Sequence, residues 1–273
     1  MEALRQIESW PARHRAAGVA RAERVLATAG DADRELPWAS VSKLLVAYAT
    51  LVAAEEGVLS LDDPAGPEGS TIRHLLAHAS GLGPEGNVLA PPGRIRIYSN
   101  EGINLVAREL SARAEMPFED YLREALLRPL ALGAELRDDP ATGMVGTVDG
   151  LLSFGRELLA PTLIARETLE EATRVQFPGL KGVLPGFGRQ EPNDWGLGFE
   201  LKDAKSPHWT GAQNSPRTFG HFGSKPGSAT FLWVDPDAGL ACATLADLDF
   251  GDWASQAWPV LSDAVLAEQP RGD

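Results

Sequence analysis

Residues 38 to 57, Trp38-Ala-Ser-Val-Ser-Lys-Leu-Leu-Val-Ala-Tyr-Ala-Thr-Leu-Val-Ala-Ala-Glu-Glu-Gly57, decide the fold of this chain. Pro37 with the small residues Ala39 and Ser40 predicts a helix start, and Gly57 a helix stop. From Leu44 to Ala54 every position but Thr50 is apolar. A helix that is apolar all round belongs in a core. Ser40 and Lys43 stand three apart at its first turn, so their side chains share one face. A lysine buried there is costly unless it has work to do. Desolvation lowers its pKa and yields a neutral amine able to take a serine's proton. The helix start also favours developing negative charge nearby. The bland alternative is a capping serine followed by a lysine that snorkels to the surface.

The chain has 273 residues and a formal net charge of -13. That length holds one large domain or two intimately packed ones. The acidity excludes nucleic acid and anionic membrane as natural partners. A single cysteine, Cys242, excludes an internal disulfide framework, and its setting in Leu-Ala-Cys-Ala-Thr-Leu-Ala predicts a buried strand residue. The opening Met1 to Trp10 carries charges and no apolar stretch of the kind that directs export. The longest apolar run is too short to cross a membrane. The expectation is a soluble, cytoplasmic protein.

Around the central helix the pattern runs in blocks. Glu2 to Trp10 predicts a short amphipathic helix, and Gly18–Arg21 with Arg24–Thr28 two strands. Helical periodicity dominates from Ser70 to Arg174, broken by Gly81, Gly83, Pro117 and Pro129. Phe177 to Asn193 predicts a loop rich in glycine and proline. Strands are predicted at Trp195–Leu201, Thr218–Gly223, Ser228–Asp235 and Leu240–Ala246, the last two joined by the turn Pro236-Asp237-Ala238-Gly239. A terminal helix follows, with Pro259 in its first turn. The predicted class is α+β: an antiparallel sheet built from both termini, flanked by helices, with an inserted all-helical subdomain. Residues 1–58 and 190–273 form the sheet part and 59–189 the helical part, together one compact unit.

Three short patterns fall in order: Ser40-Val41-Ser42-Lys43, then Tyr98-Ser99-Asn100 entering a helix, then His221-Phe222-Gly223 before Ser224. In this the sequence resembles the penicillin-recognising serine hydrolases, whose signature runs S-x-x-K, S-D-N, K-T-G. It is most similar to the class C β-lactamase-like branch, with Tyr-x-Asn in the middle and often His-x-Gly at the end. The run after the central helix, Thr71-Ile-Arg-His-Leu-Leu-Ala-His-Ala-Ser-Gly-Leu82, adds to the likeness, which extends from about Ser40 to Ala246.

The resemblance implies roles. Ser40 attacks a carbonyl and carries the acyl group, and Lys43 and Tyr98 share the proton transfers. Asn100 holds Lys43 and the substrate by hydrogen bonds. His221, Gly223 and Ser224 line the substrate, with the N–H groups of Ser40 and Ser224 forming an oxyanion hole. His221 stands where the signature has lysine, so a permanent cation becomes a group that is often neutral. Without the resemblance, Tyr98 reads first as a core aromatic, Asn100 as a helix cap and Ser42 as a helix surface or packing residue. His74 and His78 are spaced i, i+4, but no glutamate makes an H-E-x-x-H pattern, so no metal is expected. No cofactor is implied. No G-x-S-x-G elbow is present, which argues against an α/β-hydrolase.

The function implied is a serine hydrolase acting on a small ester, amide or lactam through an acyl-enzyme, closest to an esterase. The alternatives are a β-lactamase or D-alanyl-D-alanine carboxypeptidase, or a silent binding protein that keeps the fold. The segment between Gly133 and Trp195 is short for such enzymes, which implies an open site.

Overall fold

The computed structural model describes residues 1–269. A 3-10 helix at Ala3–Ser9 leads into strands β1 (Arg15–Ala20), β2 (Val25–Gly30) and the short β3 (Leu36–Pro37). Helix α1 (Ser42–Glu55) follows a 3-10 turn at Ala39–Val41. Next come α2 (Ile72–Leu76), α3 (Asn100–Ala114), α4 (Phe118–Leu122), β4 (Ala134–Leu136), β5 (Met144–Gly146), α5 (Val148–Leu159) and α6 (Arg166–Ala172). The remainder is β6 (Gly182–Leu184), β7 (Gly188–Gln190), β8 (Glu200–Leu201), β9 (Phe219–Lys225), β10 (Ser228–Asp235), β11 (Leu240–Ala246) and α7 (Asp252–Glu268).

The main sheet has the order β2-β1-β11-β10-β9-β8, so strands from both ends of the chain meet at its centre. Every pairing in it is antiparallel. Side chains of a strand alternate between faces. Leu232 and Val234 of β10 therefore join one core with α1 and α5, while Phe231 and Trp233 join a second. In β11, Ala241, Ala243 and Leu245 face the first core, and Leu240 and Cys242 the second. Both faces are covered, which is why these strands read as continuous apolar runs. The second core is closed by the two termini, with Leu4, Ile7 and Trp10 packed beside Trp258, Leu261 and Val265.

Helix α1 runs through the first core, with Ser42 to Ala53 all buried. Helices α2, α3 and α5 start where short polar side chains accept from the next turn: Thr71, Ser99 and Thr147 receive the N–H of His74, Gly102 and Gly150. The inserted part is not made of helices alone. It supplies β4 and β5, which pair with β3 of the N-terminal segment in a small sheet β3-β5-β4, and the β6-β7 hairpin falls in the segment predicted as loop. These strands are only two or three residues long, too short to leave a period-2 signal. Helix α5 lies in the inserted stretch by sequence but packs on β1, β10 and β11. Pro259 is not in the first turn of α7 but inside it, because burial of Ala254 and Trp258 extends the helix back to Asp252. Trp195–Leu201 forms a strand only at Glu200–Leu201. No helix among the described residues is long and apolar enough to cross a membrane.

Candidate active site

Ser40 sits in the 3-10 turn that leads into α1, one residue after Ala39, whose φ of 46° lies in the left-handed region. Such a turn is strained for a non-glycine residue. Ser42 locks it, donating to the Ala39 carbonyl at 2.6 Å and accepting from the Met144 N–H at 3.0 Å. Strand β9 passes close by. A Cβ on Gly223 would lie 2.5 Å from the Trp38 carbonyl oxygen, so only glycine lets the strand approach.

Lys43 is fully buried and donates to Ser40 Oγ at 2.9 Å and to the Ala141 carbonyl at 3.0 Å. Its Nζ lies 5.0 Å from the centre of the Tyr98 ring. Burial lowers its pKa to about 7, with the charge of Asp139 opposing. A lysine near neutrality can exchange a proton with the serine beside it. Tyr98 is hydrogen-bonded to Ser40, which favours the phenolate, but burial acts more strongly and raises the phenol above its ordinary value. The neutral phenol is therefore the resting form of Tyr98.

Asn100 opens α3 and lines the site, but its buried Oδ1 has no partner among the described residues. The bond it was expected to give Lys43 is made by Ala141 instead. His221, on β9, is buried, and its Nδ1 is bonded to the carbonyl of Phe222, so Nδ1 carries the hydrogen and Nε2 the lone pair. Burial, then the charge of Lys43, brings its pKa down to about 3. The imidazole is therefore neutral at ordinary pH.

Ser40, Tyr98, Asn100, His221 and Ser224 all line one cavity of about 160 Å³. Its other walls include Thr142, Leu184, Pro185, Trp195, Glu200 and Phe222. Lys43 stands behind Ser40, and Gly223 sets the approach of β9. The three motif segments meet here, and Thr142, the 184–185 pair and the 195–200 stretch complete the walls. A larger hollow of about 470 Å³ near Arg123 and Arg128 has no serine, lysine or histidine in its lining.

The sequence marks His78 only as half of an i, i+4 pair and gives no sign of Arg96 or Glu200. His78 Nδ1 accepts from the N–H of Ser99 at 3.3 Å, and its ring centre is 4.8 Å from that of Tyr98. Buried Arg96 donates to the carbonyls of Ala77, Gln176, Phe177 and Asn193 and so anchors the segment before Tyr98. Beneath the cavity, buried Glu200 binds Lys205, His208 at 2.8 Å and the Trp209 indole at 2.9 Å. Burial works to raise the Glu200 carboxyl, but His208 and Lys205 hold it down at about 2. Buried ion pairs between a short strand and the loop after it, far from any motif, leave no spacing signal. Leu184 and Pro185 enter the site through the β6-β7 hairpin, whose glycines and proline read as plain loop. Among the described residues no group of histidine, cysteine, aspartate and glutamate could hold a metal ion.

The family model described as Beta-lactamase matches residues 12–136 and 131–264. A crystal structure of a β-lactamase from Mycobacterium bovis superposes with a TM-score of 0.95 at 51% identity, over 98% of this chain and 99% of that one. At the level of fold alone, a D-stereospecific amidohydrolase from Streptomyces sp. superposes with a TM-score of 0.72 at 20% identity, covering 97% of each chain. A β-lactamase/D-alanine carboxypeptidase from Yersinia pestis complexed with citrate gives 0.75 at 19% identity, over 96% of this chain and 98% of that one. A search of curated protein sequences finds no match. With most of its length matched by the family model and its sheet, central helix and three motifs in that arrangement, the chain belongs to the β-lactamase family.

Proposed function

We propose that the protein is a serine hydrolase that cleaves small esters or amides through an acyl-enzyme on Ser40, and that within the family it is a carboxylesterase-like member. The observation that carries this reading is the 2.9 Å contact between Ser40 Oγ and a fully buried Lys43 with a pKa near 7. Ser40 attacks the carbonyl as its proton passes to Lys43, and Tyr98 returns a proton to the leaving group. Water then releases the acyl group by the reverse path. The backbone N–H groups of Ser40 and Ser224 would meet the oxyanion.

Preference for neutral esters over β-lactams rests on His221. A neutral imidazole offers no permanent charge to a substrate carboxylate. The second reading, β-lactamase or D-alanyl-D-alanine carboxypeptidase activity, draws support from the 51% identical Mycobacterium bovis protein. A silent binding protein is disfavoured because Ser40, Lys43, Tyr98 and Asn100 are all present around one cavity. The proposal includes a cytoplasmic location and a small-molecule partner, with no nucleic acid, membrane or cofactor involved. Fractionation of expressing cells checks the location.

A panel of p-nitrophenyl esters, nitrocefin and D-Ala-D-Ala peptides, followed by intact-mass spectrometry, tests the reading. Ester turnover above that of nitrocefin is expected. Nitrocefin or peptide turnover above ester turnover would move the assignment to the second reading. No turnover and no adduct with a fluorophosphonate would leave the binding protein.

A further inference from the structure

Lys43 leans on a peptide that is itself fixed from its other side. The Ala141 carbonyl accepts from Lys43 Nζ at 3.0 Å. The N–H of the same residue lies 2.9 Å from Oδ1 of Asn104 and 3.1 Å from Oδ1 of Asp139. Asn104 is one turn beyond Asn100 on α3, on the same side of the helix. Asp139 Oδ2 accepts from the Thr142 hydroxyl at 2.7 Å, and its carbonyl accepts from the N–H groups of Thr142 and Gly143 at 3.1 and 2.7 Å. The turn that presents Ala141 to Lys43 is therefore built on Asp139 and pinned to α3 by Asn104.

The charges around Lys43 are few. Ser40 and Tyr98 touch it, and the imidazoles of His78 and His221 face it, both pushed toward the neutral form by burial and by Lys43 itself. The carboxylate whose charge acts on it is Asp139. Asp139 is half-exposed and shares a groove of about 400 Å³ with Asn104, Arg108, Pro140 and Phe118. Arg108 is engaged by Glu101 at 2.5 Å.

We propose that Asn104 and Asp139 are positioning residues for Lys43, fixing the Ala141 peptide that receives its Nζ, so that the Asp139 charge acts on the amine across one hydrogen-bonded peptide. The catalytic meaning of this rests on the proposed hydrolase reading, but the electrostatic claim does not require turnover.

The chain has five lysines, Lys43, Lys181, Lys202, Lys205 and Lys225, so protein labelled with ¹³C at lysine Cε gives a small set of resonances. The Lys43 signal is the one missing in Lys43→Met, and its titration is followed by NMR. Asp139→Asn keeps an acceptor for the Ala141 N–H and deletes the charge, so the Lys43 midpoint should fall by about half a pH unit. Asn104→Asp keeps the acceptor and adds a charge, so the midpoint should rise by a similar amount. Midpoints that stay put in both variants, or move the same way in both, would overturn the proposal. A merely structural role for the two residues does not produce opposite shifts.

Turnover separates this proposal from the hydrolase reading. If the midpoints split and wild type turns over no ester, nitrocefin or D-Ala-D-Ala peptide and takes no fluorophosphonate adduct, the proposal stands and the hydrolase reading falls. If wild type is active, kcat/KM at pH 6, relative to its plateau, should be about two- to threefold higher in Asp139→Asn and lower in Asn104→Asp. An active enzyme whose acid limb ignores both substitutions would overturn the proposal.

Discussion

His78 holds Tyr98 from both sides. Its carbonyl accepts from the N–H of Ile97 at 2.9 Å, its Nδ1 accepts from the N–H of Ser99 at 3.3 Å, and the two rings lie 4.8 Å apart. Its φ of 54° turns the carbonyl and the imidazole toward the same strip of backbone. Burial keeps the imidazole well below its ordinary pKa, so Nδ1 stays free to accept.

Replacing His78 should therefore act on Tyr98. Asparagine tolerates the left-handed conformation and can still accept from Ser99. His78→Asn should keep more activity on p-nitrophenyl acetate than His78→Ala, by about tenfold, the worth of one buried hydrogen bond. Equal losses in kcat/KM for the two variants would show that the acceptor is irrelevant.

Gly223 should not tolerate even a methyl group. Its Cβ would press on the Trp38 carbonyl at 2.5 Å and on Ala39 Cβ at 2.9 Å, beside the strained turn of Ser40. Gly223→Ala should lower kcat about a hundredfold or more, since small misplacements at a reacting centre are costly. Loss of stability should be modest, about 1–3 kcal/mol by overpacking. Thermal unfolding alongside kinetics checks the pair of effects; wild-type kcat in the variant contradicts the close approach.

Much of this architecture is legible in the sequence. Ser228–Asp235 and Leu240–Ala246 are strands over those bounds, because a clear turn separates two apolar runs buried on both faces. Ser40, Tyr98 and His221 meet at one cavity because each lies in or beside an element whose punctuation is visible: a helix start, a capped helix, a strand with a required glycine. The Ala141 carbonyl was invisible, since backbone acceptors carry no residue signature. Glu200 with Lys205 and His208 was invisible for a different reason: only the fold turns an ordinary surface-type composition into a buried ion cluster. The β6-β7 hairpin was lost because three-residue strands flanked by glycine look like loop.

Lys43 should cost stability in a pH-dependent way. Its folded pKa of about 7 lies below its unfolded value, about 10.4, so between those values the unfolded chain binds more protons. Stability from this site therefore rises with pH across that window and is lowest below it. Lys43→Met removes the penalty. The variant should gain in Tm over wild type more at pH 6 than at pH 10, while losing activity. A gain that is equal at both pH values contradicts the depressed pKa.

On the proposed reading, His221 should set a preference for uncharged substrates. With its pKa near 3 the imidazole stays neutral through the working range and contributes no acid limb of its own near neutrality. His221→Lys should raise turnover of substrates bearing a carboxylate beside the scissile bond, relative to neutral esters, by roughly ten- to a hundredfold in kcat/KM. Paired measurements with nitrocefin and p-nitrophenyl acetate on both proteins decide it. A ratio that stays constant, or shifts toward the ester, removes His221 from the carboxylate position.

The most direct test of the central claim is the site of covalent trapping. The protein is treated with a fluorophosphonate, its intact mass is read, and the modified peptide is sequenced by mass spectrometry. One adduct per chain on Ser40 is the predicted result, formed faster as pH rises through about 7 where Lys43 loses its proton, and absent in Ser40→Ala. An adduct on Ser42 or Ser99, or undiminished labelling of Ser40→Ala, would contradict the account.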